Sequence, residues 1–390
     1  MKAHAGLETN VLRDLGSVDR ILPAWAELWE RCVNATPFQR PEWLRAWMAC
    51  FQPQQPLVIV VWLGSQIVGL APLLIYRHER QRVLALMGGG VSDYLDVLVD
   101  PPFADEALAM IWERIKKEAS NWDVIDLTDL PATSALLRKP PRLWPWVIEM
   151  HDACPVLSFP IAGETLSDIV PHRQLRNLRN ARNRLARIGN SQIEIASAET
   201  LPAFLDAIVK LHSCRWAQDG LPGMFSDPAI RKFHRLVAPQ LLEKGILRLY
   251  GLRAEGRLIA ALYALFEKET AYYYLQGFDF GWRWFSPGTQ ILGAVIEDAL
   301  REGKKKIDFL RGRESYKYLW GASDEPTFRL SARCATRILN QPPSPPESLC
   351  NQKTAKSLST VNPVFAFEND PTQNRKLNPG NPNDRLFKNP

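Results

Sequence analysis

Between Asp308 and Gly321 the chain collects side chains that can move protons and hold anions. Asp308 and Glu314 are carboxylates able to take a proton from an amine or hydroxyl. Arg311 and Lys317 can neutralise a phosphate or a developing oxyanion, and the phenol of Tyr316 can protonate a departing group. The competing assignment is structural, with Tyr316, Tyr318 and Trp320 as packing aromatics and Asp308 as an edge-strand charge. Upstream, Ser286-Pro287-Gly288-Thr289 has the form of a helix start, because Ser can cap free backbone donors and Pro suits the first turn. A helix start that follows a strand and a glycine-containing loop is an anion site, since its amides and dipole favour phosphate. Many folds contain that geometry, so alone it does not name a ligand.

Three other clusters compete for attention. The segment His172–Ile188 reads as a helix with Leu175, Leu178, Leu185 and Ile188 at helical spacing and six arginines, Arg173, Arg176, Arg179, Arg182, Arg184 and Arg187, over the remaining faces. It is either a solvated amphipathic helix or a face for a phosphorylated donor, a polyanionic acceptor or lipid headgroups. A nucleic-acid role lacks the interleaved aromatics that stack bases. In Leu211–Trp216, His212 and Cys214 fall on different helical faces, which argues against a Cys–His nucleophilic pair. Ser92-Asp93-Tyr94 follows three glycines, as either an ordinary polar loop or a ligand loop. Serine-hydrolase, zinc-protease and P-loop motifs are absent. Six scattered cysteines without a C-x-x-C pair argue against a disulfide framework and structural zinc, and suit a reducing cytosol.

The elements that must position these groups are legible in the periodicity. Strands are expected at Ile246–Arg253, Arg257–Phe266 and Thr270–Gln276, then a loop over Gly277–Phe285, a helix over Gln290–Glu302 and a strand over Lys306–Leu310. Toward the N-terminus, helical stripes around Trp25, Leu28 and Trp29 and around Leu44, Trp47 and Met48 precede a hairpin, Leu57–Leu63 with Ile67–Ile75. Strands at Val83–Met87 and Tyr94–Val99, a helix at Asp105–Ser120 and a strand at Trp122–Leu127 complete that half. Leu63–Leu73 lines up with Ala254–Ala264, and each half ends strand, helix, strand, which suggests a tandem duplication. The Pro- and Trp-rich stretch 131–160 is expected to carry the crossover between halves.

The order RLYGLRAEGRLIAALYAL, YYYLQGFD, SPG and IDFLRGRESYKYLWGA resembles the C-terminal half of a GNAT acyltransferase, and within that superfamily the CelD/BcsL-type acetyltransferases associated with cellulose biosynthesis. The resemblance implies a tandem α/β fold with mixed, mostly antiparallel sheets flanked by helices. It also implies acetyl-CoA as acyl donor, direct transfer to a small-molecule or carbohydrate-linked amine or hydroxyl, and no metal. Tyr316 then protonates the leaving thiolate, with Asp308, Lys317 and Arg311 as its catalytic companions. Gln276, Gly277, Phe278 and Ser286–Thr289 receive the donor. Arg215, Trp216 and Phe225, with Asp93 and Tyr94, fall to the acceptor. One departure concerns Gln276–Gly281, which does not fit the usual pyrophosphate-loop register. Fem-like aminoacyltransferases also pair two such domains, but no heptad-patterned helical arm appears here. A non-catalytic adaptor whose Arg-rich helix binds anionic surfaces is the third alternative.

The whole chain sets the bounds. It has 390 residues, 46% hydrophobic, with 48 Lys+Arg against 42 Asp+Glu. The pI near 9.0 permits nucleic acid, anionic lipid or CoA phosphate as partner without choosing among them. The expected division is residues 1–160, 161–340 and a disordered Pro/Asn-rich tail, 341–390. With no signal-type core and no apolar run near 20 residues, a cytoplasmic protein with possible membrane-surface association and no specific nucleic acid is expected.

Overall fold

Twelve strands follow one another across a single twisted sheet, and a thirteenth short strand pairs off that path. The computed structural model describes residues 6–159, 165–218 and 220–333; the expected tail lies outside them. The strands are β1 (Leu7–Leu12), β2 (Gln55–Leu63), β3 (Gln66–His78), β4 (Gln81–Leu86), β5 (Leu98–Val99), β6 (Val124–Pro131), β7 (Val147–Ser158), β8 (Ser191–Ile195), β9 (Leu247–Ala254), β10 (Arg257–Glu267), β11 (Thr270–Phe278), β12 (Lys306–Asp308) and β13 (Ser323–Arg333). Helices of ten residues or more are α1 (Leu22–Arg31), α2 (Pro41–Phe51), α3 (Ala104–Lys117), α4 (His172–Ala186), α5 (Leu201–Gln218), α6 (Pro228–Glu243) and α7 (Pro287–Arg301).

The sheet order is β1-β2-β3-β4-β6-β13-β7-β12-β11-β10-β9-β8, with β5 on β3. Among the described residues only β4–β6 and β11–β12 pair in parallel; every other pairing is antiparallel. The two halves repeat one plan: two antiparallel hairpin connections, then a helical crossover into a parallel strand. β2-β3-β4-α3-β6 corresponds to β9-β10-β11-α7-β12. The strand that follows each parallel strand then changes sides. β7, which follows β6 in sequence, pairs with β12; β13, which follows β12, pairs with β6. The stretch expected to be a crossover thus ends in a twelve-residue strand of the sheet. A boundary at residue 160 falls just after it.

Two apolar cores explain why the halves hold. Trp112, Trp122 and Leu127 sit with α3 against β2–β4 in the first. In the second, Ile291, Leu292, Val295, Ile296 and Ala299, one face of α7, pack on Leu262, Ala264, Ala271 and Tyr273. Gly303, at φ 68°, ends α7, with its amide bonded to Leu300 O and that of Lys304 to Ala299 O. Two expectations shrink: Tyr94–Val99 is strand only at Leu98–Val99, and Lys306–Leu310 only to Asp308, because Leu310 turns at φ 58°.

Candidate functional site

The site begins where two parallel strands part. β11 and β12 pair at Thr270↔Lys306, Ala271↔Ile307 and Tyr272↔Asp308, and no further. Phe309 then gives its amide to Pro155 O of β7 (2.9 Å), drawing β12 away from β11. On the other edge of β11, Tyr273 pairs with Ala264 but Leu275 with Tyr263, so Tyr274 is a bulge residue. The bulge puts Tyr273 and Gln276 on the same face although they are three apart. Tyr273 Oη donates to Gln276 Oε1, and Tyr316 Oη donates to Tyr273 Oη at 3.3 Å.

That face opens on a pocket of about 450 Å³. Its floor is the first turn of α7, Ser286 to Thr289. Tyr273, Gln276, Phe278 and Tyr316 form one wall, and Asn177, Asn180 and Arg184 of α4 another, with Arg283 at the rim. Ser286 stands at the helix start as expected but does not cap it. It adopts a left-handed conformation, φ 49° and ψ 54°, and its side chain takes no amide hydrogen. The first-turn amides of α7 are therefore left for a ligand or solvent. Gln276, only 9% exposed, adds to them: its Nε2 has no hydrogen-bond partner among the described residues and lies over Gly288, where a Cβ would collide with it. Two arginines, a bare helix N-terminus and an amide donor meet there, and among the described residues no carboxylate lines the pocket. The arrangement favours an anion.

The other expected site residues divide between two places. Gly277 does not line the pocket; a Cβ there would lie 2.6 Å from Leu211 C, so the glycine allows α5 to pack backbone on backbone against β11. Asp308, Arg311 and Lys317 are also outside the pocket lining. Asp308, 2% exposed, accepts from Tyr94 Oη (2.8 Å) and Leu310 N (2.8 Å), and burial raises its pKa to about 6. Arg311 bridges Asp93 (3.0 Å), Asp129 (2.9 Å) and Ser92 O (3.0 Å). Burial raises the Asp93 pKa while Arg311 opposes the shift. Lys317 Nζ reaches the carbonyls of Leu310, Arg311 and Gly312, fastening the turn after β12. The structure thus joins Asp93 and Tyr94 to Arg311 and Asp308 in one seam between the halves.

On the far face of β11, Trp216 donates to His212 Nε2 (2.9 Å), and Phe225, 2% exposed, packs on His212 and His234. The side chain of Arg215 lies outside the described residues. The sequence reading missed Tyr273 and, on α4, Asn177 and Asn180. A Tyr three residues before Gln276 signals shared facing only if the bulge is known. Among the described residues, no helix is long and apolar enough to cross a membrane, and no group of three His, Cys, Asp or Glu is placed to hold a metal.

Comparison with known proteins fits this geometry. Residues 172–318, which hold α4, the β9–β12 sheet, α7 and Tyr316, match the acetyltransferase (GNAT) domain family. The whole fold is similar to FemX, at 12% identity over 85% of this chain and 98% of that one, with a TM-score of 0.57. It is also similar to a conserved protein of unknown function from Bacteroides thetaiotaomicron VPI-5482, at 14% identity over 83% and 100% of the two chains, with a TM-score of 0.52. At such identities the likeness is one of fold. No curated protein sequence matches the chain. The architecture is GNAT-like α/β, carried by a mostly antiparallel sheet between helices.

Proposed function

We propose that this chain is a cytoplasmic acyltransferase that takes an acyl group, acetyl in the simplest case, from a CoA thioester to an amine or hydroxyl of a small or carbohydrate-linked acceptor. Exopolysaccharide assembly, cellulose included, is the setting that the sequence resemblance suggests. One observation carries the reading: the uncapped start of α7, the Gln276 amide, Arg184, Arg283 and Tyr316 share one pocket, with no carboxylate among the described residues that line it. These residues fit a pyrophosphate on the first-turn amides of α7, with the pantetheine arm lying along the parting of β11 and β12. The thioester supplies the activated carbonyl.

The protein's own contribution is placement and one proton. The edge of β11 left by β12 holds the acyl carbonyl, so that acceptor and carbonyl meet in a fixed geometry. Tyr316 gives its phenolic proton to the leaving sulfur. Tyr273, which now accepts from Tyr316, turns its own hydroxyl hydrogen to stabilise the resulting phenolate. Glu314 and Asp308 are the nearest candidates in sequence to receive the acceptor's proton; Glu314 is half-exposed and paired with Lys317 at 2.9 Å.

A second reading, Fem-like transfer from aminoacyl-tRNA, is favoured by the likeness of the whole fold to FemX. Competition separates the two. Micromolar acetyl-CoA binding with thiol release on adding acceptors supports the first reading. Binding of aminoacyl-tRNA with none of acetyl-CoA would replace it by the second.

A further inference from the structure

The mouth of the pocket has a character that the chemistry inside it does not require. Trp284 is 72% exposed, Leu319 50%, Phe280 44% and Ile188 44%. These are large apolar groups on a short 3-10 helix (Phe280–Phe285), on the segment after β12 and at the end of α4. Phe280 and Trp284 meet around two arginines: Arg184 Nε donates to Trp284 O (3.2 Å), and Arg283 lies over Phe280 (4.5 Å) and Trp284 (5.2 Å). Beside them runs a row of positive charge. At 100° per residue, Arg173, Arg176, Arg184 and Arg187 fall within roughly a quarter of the circumference of α4, on the arc of Asn180 and Arg184, which line the pocket. α4 contains no acidic residue, and Arg182, on its other side, is occupied by Glu297.

We infer that this rim seats the protein on an anionic lipid surface, with Trp284 and Phe280 entering the headgroup boundary and the α4 arginines facing lipid phosphates. Charge and shape choose the occupant. An interfacial Trp flanked by apolar side chains and backed by an arginine face is the composition that lies flat in a negatively charged bilayer interface. A single-stranded nucleic acid needs open ring faces to stack its bases. Here Arg283 covers one face of both exposed rings, and Leu319 and Ile188 offer no stacking surface. Docked this way, the pocket opens toward the membrane, where an acceptor carried by lipid would be presented.

Vesicle binding tests this without any donor, so it stands or falls separately from the acyl-transfer reading. The full chain is co-sedimented with vesicles of phosphatidylcholine alone and of phosphatidylcholine containing about one quarter phosphatidylglycerol. Binding to the anionic vesicles only is expected, lost as salt is raised. Trp284→Ala with Phe280→Ala, and separately Arg176→Glu with Arg187→Glu, should each weaken it by about tenfold or more. Neither pair lines the pocket, and an unchanged urea unfolding midpoint in both variants serves as the check on folding. Equal binding to both vesicles, anionic binding unchanged in both variants, or a single-stranded RNA oligonucleotide that outcompetes the vesicles for this rim would each overturn the inference.

Discussion

The two halves use the same parting of parallel strands in opposite ways. In the C-terminal half, β11 and β12 separate after Tyr272 and Asp308, and the connection to α7 stays outside as the 3-10 helix Phe280–Phe285. The gap stays open, and the start of α7 carries no acid. In the N-terminal half, β4 and β6 pair only at Val83↔Val124 and Leu84↔Ile125. There the connection folds back into the gap: Leu95 N bonds Asp129 O (3.0 Å) and Trp43 Nε1 bonds Ser92 Oγ (3.0 Å). The first turn of α3 carries Asp105 and Glu106, where an anion would be repelled. The plug then reaches across the seam to hold Arg311 and Asp308. One plan thus yields a pocket in one half and a support for it in the other.

The largest effect should come from breaking that support. Arg311→Met leaves Asp93 and Asp129 facing each other without their shared cation, and unfolding by urea should show a loss of about 3–5 kcal/mol. A loss below about 1 kcal/mol would mean the seam is ornamental to the fold. Next comes the contrast between glycines. Gly288→Leu should weaken acetyl-CoA binding by about a hundredfold, roughly 2.7 kcal/mol, by displacing Gln276 from the start of α7. Gly89→Ala, in the N-terminal plug with nothing within 4 Å of the added Cβ, should leave it unchanged.

Chemistry inside the pocket follows. Tyr316→Phe should lower kcat by about thirtyfold to a hundredfold at unaltered donor affinity, and Tyr273→Phe by about tenfold, because the second tyrosine acts through the first. Donor affinity falling in step with kcat would move both residues from proton transfer to binding.

The smallest effect tests the face of β11 that turns away from the pocket. His234 is buried among Trp43, Phe225, Phe233, Tyr263 and Tyr274, with neither ring nitrogen hydrogen-bonded. Burial lowers its pKa to about 3 from 6.5. The folded protein keeps it neutral while the unfolded chain protonates it, so stability is lost as pH falls from 6.5 toward 3. Asp308, raised to about 6, works in the other direction as pH falls below 6, so wild type and variant must be compared at each pH. His234→Phe should gain about 1–2 kcal/mol near neutrality and flatten the acid limb, as read from urea midpoints at several pH values.

The C-terminal elements were legible because their signals are local. A run of aromatic strand formers gives β11, Pro287 and Gly303 bracket α7, and six of the seven residues assigned to the donor do line one pocket. The seventh, Gly277, serves helix packing, which depends on α5, more than sixty residues earlier in the chain. Asp93, Tyr94, Asp308 and Arg311 stood out for their chemistry, but their pairing across the seam comes from two strands that change sides. No local pattern records that exchange. The edge and late strands β1, β8 and β13 went unread for a related reason. Their side chains alternate only partly between buried and exposed, so periodicity had little to register.

The proposed acyl transfer requires one donor site, at the start of α7, and none in the half whose gap is plugged. Calorimetric titration of acetyl-CoA into the full chain measures this directly. The prediction is a single site per chain with micromolar affinity, weakened by about a hundredfold in Gly288→Leu and indifferent to Gly89→Ala. Two equivalent sites, no binding, or an affinity that Gly288→Leu leaves unchanged would contradict it.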